Sequence, residues 1–203
     1  MGWVGSAVST SPSNQRVWYA AYGSNILAAR FHTYLAGGAI PGSTNGRIQD
    51  GSRNRDLPTE SRPFLVERTL LFARRSSSWG GGGVAFLHPT EQPDRPTRGR
   101  VWNITLEQLA DVYQQENKAA EPPMIDLELL VEVGHLDMLP SWYGRLIYLG
   151  HLDEVPVLSF TSPSVPEPLN PPHQSYREVI VEGLAECWDI SLDQARESVP
   201  ELR

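Results

Sequence analysis

Apolar positions along the chain fall into short blocks separated by Gly, Pro, Ser and Asn, a spacing of strands and turns more than of long helices. The first block, Val17 to Tyr22, is apolar and aromatic and predicts a strand. It stops at Gly23-Ser24-Asn25, and a helix-like segment follows at once from Ile26 to Leu35. Ala36 to Arg62, dense in Gly, Asn, Arg and Asp, predicts long connections around at most a short strand. Phe64 to Ala73, Gly83 to Leu87 and Gly99 to Ile104 predict three further strands bounded by Gly and Pro. Thr105 stands three residues before Gln108, a capping box that opens a helix from Leu106 to about Gln115. Leu127 to Val133, with partial alternation, Arg145 to Gly150 and Val155 to Thr161 predict strands again. A Pro-rich connector over Ser162 to Pro172 leads to helices over Ser175 to Cys187 and Ser191 to Val199. Many strands with few, irregularly placed helices predict an α+β fold: a small, mostly antiparallel β-barrel with surrounding helices.

Composition narrows this picture. The 203 residues fit one domain, expected over residues 17–203, behind a flexible Ser-, Gly- and Thr-rich tail over residues 1–16 that has no basic or apolar region of a signal peptide. Acidic residues outnumber Lys and Arg by 24 to 17, with no dense basic run, which argues against a nucleic-acid partner. The single cysteine, Cys187, excludes an internal disulfide; beside Trp188 in a helical pattern it reads as core. The five histidines lack any metal-binding spacing, so a metal is not expected. No apolar run reaches the roughly 18 residues of a membrane span, so the expectation is a soluble, cytoplasmic protein without a membrane partner, as monomer or homodimer.

The candidate chemistry starts at Tyr22-Gly23-Ser24-Asn25. Gly23 can take backbone angles that larger residues resist, Asn25 or Ser24 can cap the helix, and N–H groups at a helix start bind anions. The loop is too short for Gly-rich nucleotide fingerprints, so the anion it suits is compact, a carboxylate or a single phosphate. The same residues also make an ordinary strand-to-helix turn. Glu116 closes an apolar-faced helix, where a carboxylate meets the negative pole of the helix dipole and suits general acid–base work. Asp111 and Glu121 are equally plausible from charge alone. A second Gly-rich stretch, Ser78 to Phe86, puts Gly82 and Gly83 at the entry of a strand, where backbone can approach a ligand closely. Tyr176, after the Pro-rich connector, can present a phenol to a pocket.

In this order the elements resemble the γ-glutamylcyclotransferase-like family. The resemblance rests on Tyr19 to Asn25 (YAAYGSN), Trp79 to Phe86, Gly99-Arg100-Val101-Trp102, the Gln115-Glu116 pair and Tyr176-Arg177, and covers roughly Val17 to Ile190. It implies a pocket where the loop from Tyr22 to Asn25 holds a γ-glutamyl group, with Glu116 as the acid/base. The α-amino group then attacks its own γ-carbonyl, releasing 5-oxoproline and a free amine or amino acid without a cofactor. Where enzymes of the family often have Gly after the Glu and a Tyr shortly beyond, this chain has Asn117-Lys118 and Pro122-Pro123-Met124, and Tyr143 is the candidate replacement phenol. Two other readings stay open: a related amide hydrolase or acyl transferase using the same pocket, and a binding protein for small acids that has lost turnover.

Overall fold

The structure, a computed structural model, describes residues 14–40 and 48–200. The tail expected over residues 1–16 lies outside the described residues as far as residue 13, and Arg16 already belongs to the first strand.

That strand, β1 (Arg16–Ala21), is the centre of the fold. It pairs antiparallel with β7 (Thr97–Thr105), Tyr19 opposite Trp102, and parallel with β10 (Val155–Thr161), Trp18 opposite Val157. Val17 to Ala21 are all buried, because a strand covered on both faces needs an apolar run and not an alternating one. β4 (Ser61–Val66) joins the far side of β7, and β9 (Arg145–Leu152) and β8 (His135–Asp137) continue beyond β10, giving the order β4-β7-β1-β10-β9-β8. Every pair except β1 with β10 is antiparallel.

Several expectations need correction. The described residues contain no closed barrel: the six-stranded sheet ends at β4 and β8, while β5 (Leu70–Ala73) and β6 (Val84–Leu87) form a ribbon of their own. The run from Phe64 to Ala73 is thus not one strand. It breaks after Val66, where the buried Arg68 guanidinium turns to the carbonyls of His88 and Pro89. Leu127 to Val133 is a helix, not a strand. Asp126 accepts a hydrogen bond from the Leu129 N–H at 3.0 Å, Leu127 and Leu130 bury the same face, and Gly134 ends the turn at φ +81°. The connection from Ala36 to Arg62 holds two short strands, β2 (Gly38–Ala39) and β3 (Ile48–Gln49), where at most one was expected.

The helices are α1 (Ala28–Ala36), α2 (Leu106–Asn117), α3 (Leu127–Val133), α4 (Gln174–Trp188) and α5 (Leu192–Ser198). The expected capping box opens α2: Gln108 N–H donates to Thr105 Oγ1 at 3.1 Å, and Thr105 N–H to Gln108 Oε1 at 3.0 Å. The long connection is tied to α2 by polar contacts. The backbone N–H and Nε of Arg53 both donate to the buried Asp111 carboxylate, at 2.9 and 2.8 Å, and Gln108 Nε2 donates to the carbonyls of Asn54 and Asp56. Asp111 is therefore a clamp for that segment. Among the described residues no helix is long and apolar enough to cross a membrane.

Candidate active site

A cavity of about 340 Å3 opens where the end of β1, the start of α1, the end of α2 and the start of α4 meet. Tyr22, Gly23, Ser24, Asn25, Glu116 and Tyr176 all line it, so six of the residues singled out in the sequence come together. Gly82 and Gly83 do not line it. A Cβ on Gly82 would stand 2.2 Å from the His173 nitrogen, and one on Gly83 2.0 Å from the Asn170 carbonyl oxygen. These glycines let the Pro-rich connector lie against the strand entry, where Gly83 N–H donates to the Pro171 carbonyl. His173 then caps α4 and accepts from Tyr176 N–H, so the glycines act on the cavity only by fixing where α4 begins.

Gly23 takes φ −111° and ψ −145°, outside the helical and extended regions though not in the left-handed one. It also supplies room. A Cβ there would come within 2.9 Å of the Tyr176 hydroxyl and 3.1 Å of Ala85 Cβ. A 3-10 turn, Ser24–Ile26, leads from Gly23 into α1, and neither Ser24 nor Asn25 caps a helix with its side chain. The Asn25 side chain instead crosses the cavity, Nδ2 donating to Glu116 Oε1 at 3.1 Å and to the Tyr19 hydroxyl at 3.3 Å. The loop carbonyls are engaged by side chains outside the cavity lining: Trp102 Nε1 donates to Asn25 O at 2.9 Å, and Arg100 Nη1 to Ile26 O at 3.2 Å, with the guanidinium stacked 3.8 Å from the Trp102 ring.

Glu116 lies in the last turn of α2, half-buried, and is the one carboxylate among the described lining residues. Asp111 is spent on Arg53, and Glu121 is not in the lining. Asn117, standing where the family often has Gly, exchanges hydrogen bonds with the Tyr143 backbone: Tyr143 N–H donates to Oδ1 at 3.2 Å, and Nδ2 donates to the Tyr143 carbonyl at 3.3 Å. Tyr143 is thereby set into the cavity wall, its hydroxyl donating to the Ala85 carbonyl at 2.9 Å.

Five tyrosines, Tyr19, Tyr22, Tyr34, Tyr143 and Tyr176, line the cavity. Burial pushes all five phenols up, Tyr176 to about 12, and the Glu116 carboxylate adds to the effect in each case. They stay protonated near neutral pH and act as hydrogen-bonding groups, not as bases. Tyr22 donates to the Phe160 carbonyl, and Tyr176 accepts from the Ala85 N–H at 3.2 Å. Sequence reasoning missed Arg30 and Tyr34, which also line the cavity. Their i, i+4 spacing on the helix after the loop was the available signal. Cys187 is not in the lining; expected in the core, it is only half-buried and packs against it, and burial raises its thiol to about 11.

This geometry can be set beside known proteins. A solved structure named gamma-glutamyl cyclotransferase superimposes with a TM-score of 0.52 at 19% sequence identity, over 91% of this chain and 86% of that one. The chain adopts the γ-glutamyl cyclotransferase-like fold. An uncharacterized protein from Homo sapiens with this likeness gives a TM-score of 0.51 at 17% identity, over 91% of this chain and 87% of that one. No family model matches the sequence. A curated relative, histone deacetylase 5 of Arabidopsis thaliana, is 34% identical over 196 residues, covering 88% of this chain but only 29% of that protein. The deacetylase name describes the longer protein.

Proposed function

We propose that this γ-glutamyl cyclotransferase-like chain is a cyclising enzyme that cleaves γ-glutamyl amides, with Glu116 as general acid and base. The observation that carries the reading is the isolation of Glu116: one carboxylate, gripped by Asn25, facing a cavity whose phenols remain protonated. A group that must take a proton and return it needs such a position, held but open to the substrate.

In the proposed reaction the glutamyl carboxylate sits on the loop from Tyr22 to Asn25. The α-amino nitrogen, as the free amine, attacks the γ-carbonyl carbon and closes a five-membered ring. Glu116 takes the proton that this nitrogen sheds and delivers it to the departing amine nitrogen as the amide bond breaks. The products are 5-oxoproline and an amine or amino acid, and the proton count balances. The attack is intramolecular, so positioning and one proton carrier supply the chemistry, and the reaction as written calls on no cofactor.

The test is mass spectrometry of protein incubated with γ-glutamyl amino acids, γ-glutamyl amines and glutathione. The expected result is 5-oxoproline from the unmutated protein and a loss of about a hundredfold or more in Glu116→Gln. Free glutamate in its place would make the protein a hydrolase. Substrate binding without any product would make it a binding protein, and either result overturns cyclotransfer.

A further inference from the structure

Arg30 is the third residue of α1, five positions after Asn25, and it lines the cavity although only 5% of it is exposed. Its hydrogen bonds go to neutral groups: Nη2 donates to the Tyr34 hydroxyl at 2.8 Å and Nη1 to Thr33 Oγ1 at 3.3 Å. One hydrogen on each Nη and the buried Nε–H are left without a partner. None of the ion pairs among the described residues includes Arg30. A buried cation with neutral partners alone is disfavoured, and an anion that arrives with a ligand relieves it. The guanidinium is also held ready. Thr33 Oγ1 donates to the Arg30 carbonyl at 2.8 Å, and the Tyr34 carbonyl accepts from Gln115 Nε2 at 2.9 Å and from Ser52 Oγ at 3.0 Å, so both partners of the guanidinium are themselves anchored. The rest of the lining has the same sign. Arg75 and Lys118, both exposed, add two cations against the single carboxylate of Glu116, in a protein of formal net charge -7.

We infer that Arg30 is a substrate-binding residue whose guanidinium receives the α-carboxylate of the γ-glutamyl group, which makes a free carboxylate at that position a condition of binding. The inference rests on the γ-glutamyl reading proposed above and adds a fixed positive charge to the loop N–H groups assigned to the same carboxylate. Arg30 follows directly on that loop, whereas Arg75 and Lys118 belong to other segments of the wall. A planar guanidinium matches a carboxylate with two parallel N–H donors, which fixes orientation as well as place. The α-carboxylate and the α-amine share one carbon, so holding the first limits where the second can lie relative to Glu116 and to the γ-carbonyl.

The experiment is calorimetric titration with 5-oxoproline, which keeps the carboxylate in question, and with 2-pyrrolidinone, the same ring without it. No turnover is needed. Unmutated protein should prefer 5-oxoproline by about a hundredfold or more; the preference should fall about ten- to a hundredfold in Arg30→Gln and at least about fivefold in Arg30→Lys, which keeps the charge without the fork. A merely structural Arg30 would lower Tm and weaken both ligands alike, leaving the preference where it was. A preference within about twofold of the unmutated protein in Arg30→Gln, or in Arg30→Lys should the first variant fail to fold, overturns the inference. So does an unmutated protein that binds no 5-oxoproline or does not distinguish the two rings. Turnover is scored separately: the absence of 5-oxoproline from γ-glutamyl amides overturns cyclotransfer, whereas its release alongside an undiminished preference in the variants overturns the role of Arg30 alone.

Discussion

Replacing Gly23 by alanine tests how tightly the loop is built against α4. The added Cβ would stand 2.9 Å from the Tyr176 hydroxyl and 3.1 Å from Ala85 Cβ, closer than carbon normally approaches either. The Tyr176 ring must retreat by a few tenths of an ångström. Its hydroxyl accepts from the Ala85 N–H at 3.2 Å, already a long bond, so retreat breaks it and leaves a buried donor unpaired. An unsatisfied buried N–H costs about 1–3 kcal/mol, and overpacking adds about 1 kcal/mol or more. The expected loss is therefore about 2–4 kcal/mol, or about 4–16 °C in Tm for a chain of this size. The reasoning is checked by repeating the substitution on Tyr176→Phe. That variant is itself destabilised, since the Ala85 N–H loses its acceptor. Without the hydroxyl, however, the Cβ meets only Ala85, and Gly23→Ala should then cost under about 1 kcal/mol. Denaturant titration of the four proteins gives the cycle. An equal cost of Gly23→Ala with and without the hydroxyl would refute the account, and would move the requirement for glycine from close approach to the backbone.

Two further outcomes are expected. Trp102→Phe strands the Asn25 carbonyl that the indole N–H now engages, which disturbs the loop and, through Asn25 Nδ2, its grip on Glu116; steady-state kinetics should show KM raised several-fold together with a fall in kcat, and kinetics unchanged in both would contradict this. For Cys187, a thiol raised to about 11 is protonated in all but about one molecule in a thousand at pH 8. Alkylation by iodoacetamide, followed by mass spectrometry, should be slow at pH 8 and speed up about tenfold per pH unit until pH 11; fast labelling at pH 7 would contradict the burial.

Local signals in the sequence read well where their physics is local. The capping box at Thr105 and Gln108 fixes the start of α2, and Glu116 falls three turns later at its end. The meeting of Tyr22 to Asn25, Glu116 and Tyr176 in one cavity follows an order of motifs along the chain. Signals that depend on tertiary contact were not legible. Phe64 to Ala73 looks continuous because the turn at Arg68 uses no glycine or proline, only a guanidinium that finds carbonyls 20 residues away or more. Leu127 to Val133 alternates like a strand, but Asp126 and Gly134 cap it as a helix at both ends. The glycines at 82 and 83 carry the right signal, close backbone approach, and the wrong partner: the connector, not a ligand. Arg30 and Tyr34 enter the cavity only because α1 docks beside the end of α2.

The parallel pairing of β1 with β10 bears on how the protein is made. During synthesis β1 leaves the ribosome first of the described strands, yet one of its two edges stays unpaired until residues 155–161 follow. An apolar strand with an open edge invites pairing with other chains. The nascent strand therefore needs shelter until those residues have emerged, and Tyr176, which closes the cavity, emerges later still. No amino-terminal fragment ending before α4 contains a complete pocket, so truncated products should neither bind ligand nor compete with the full-length protein for it.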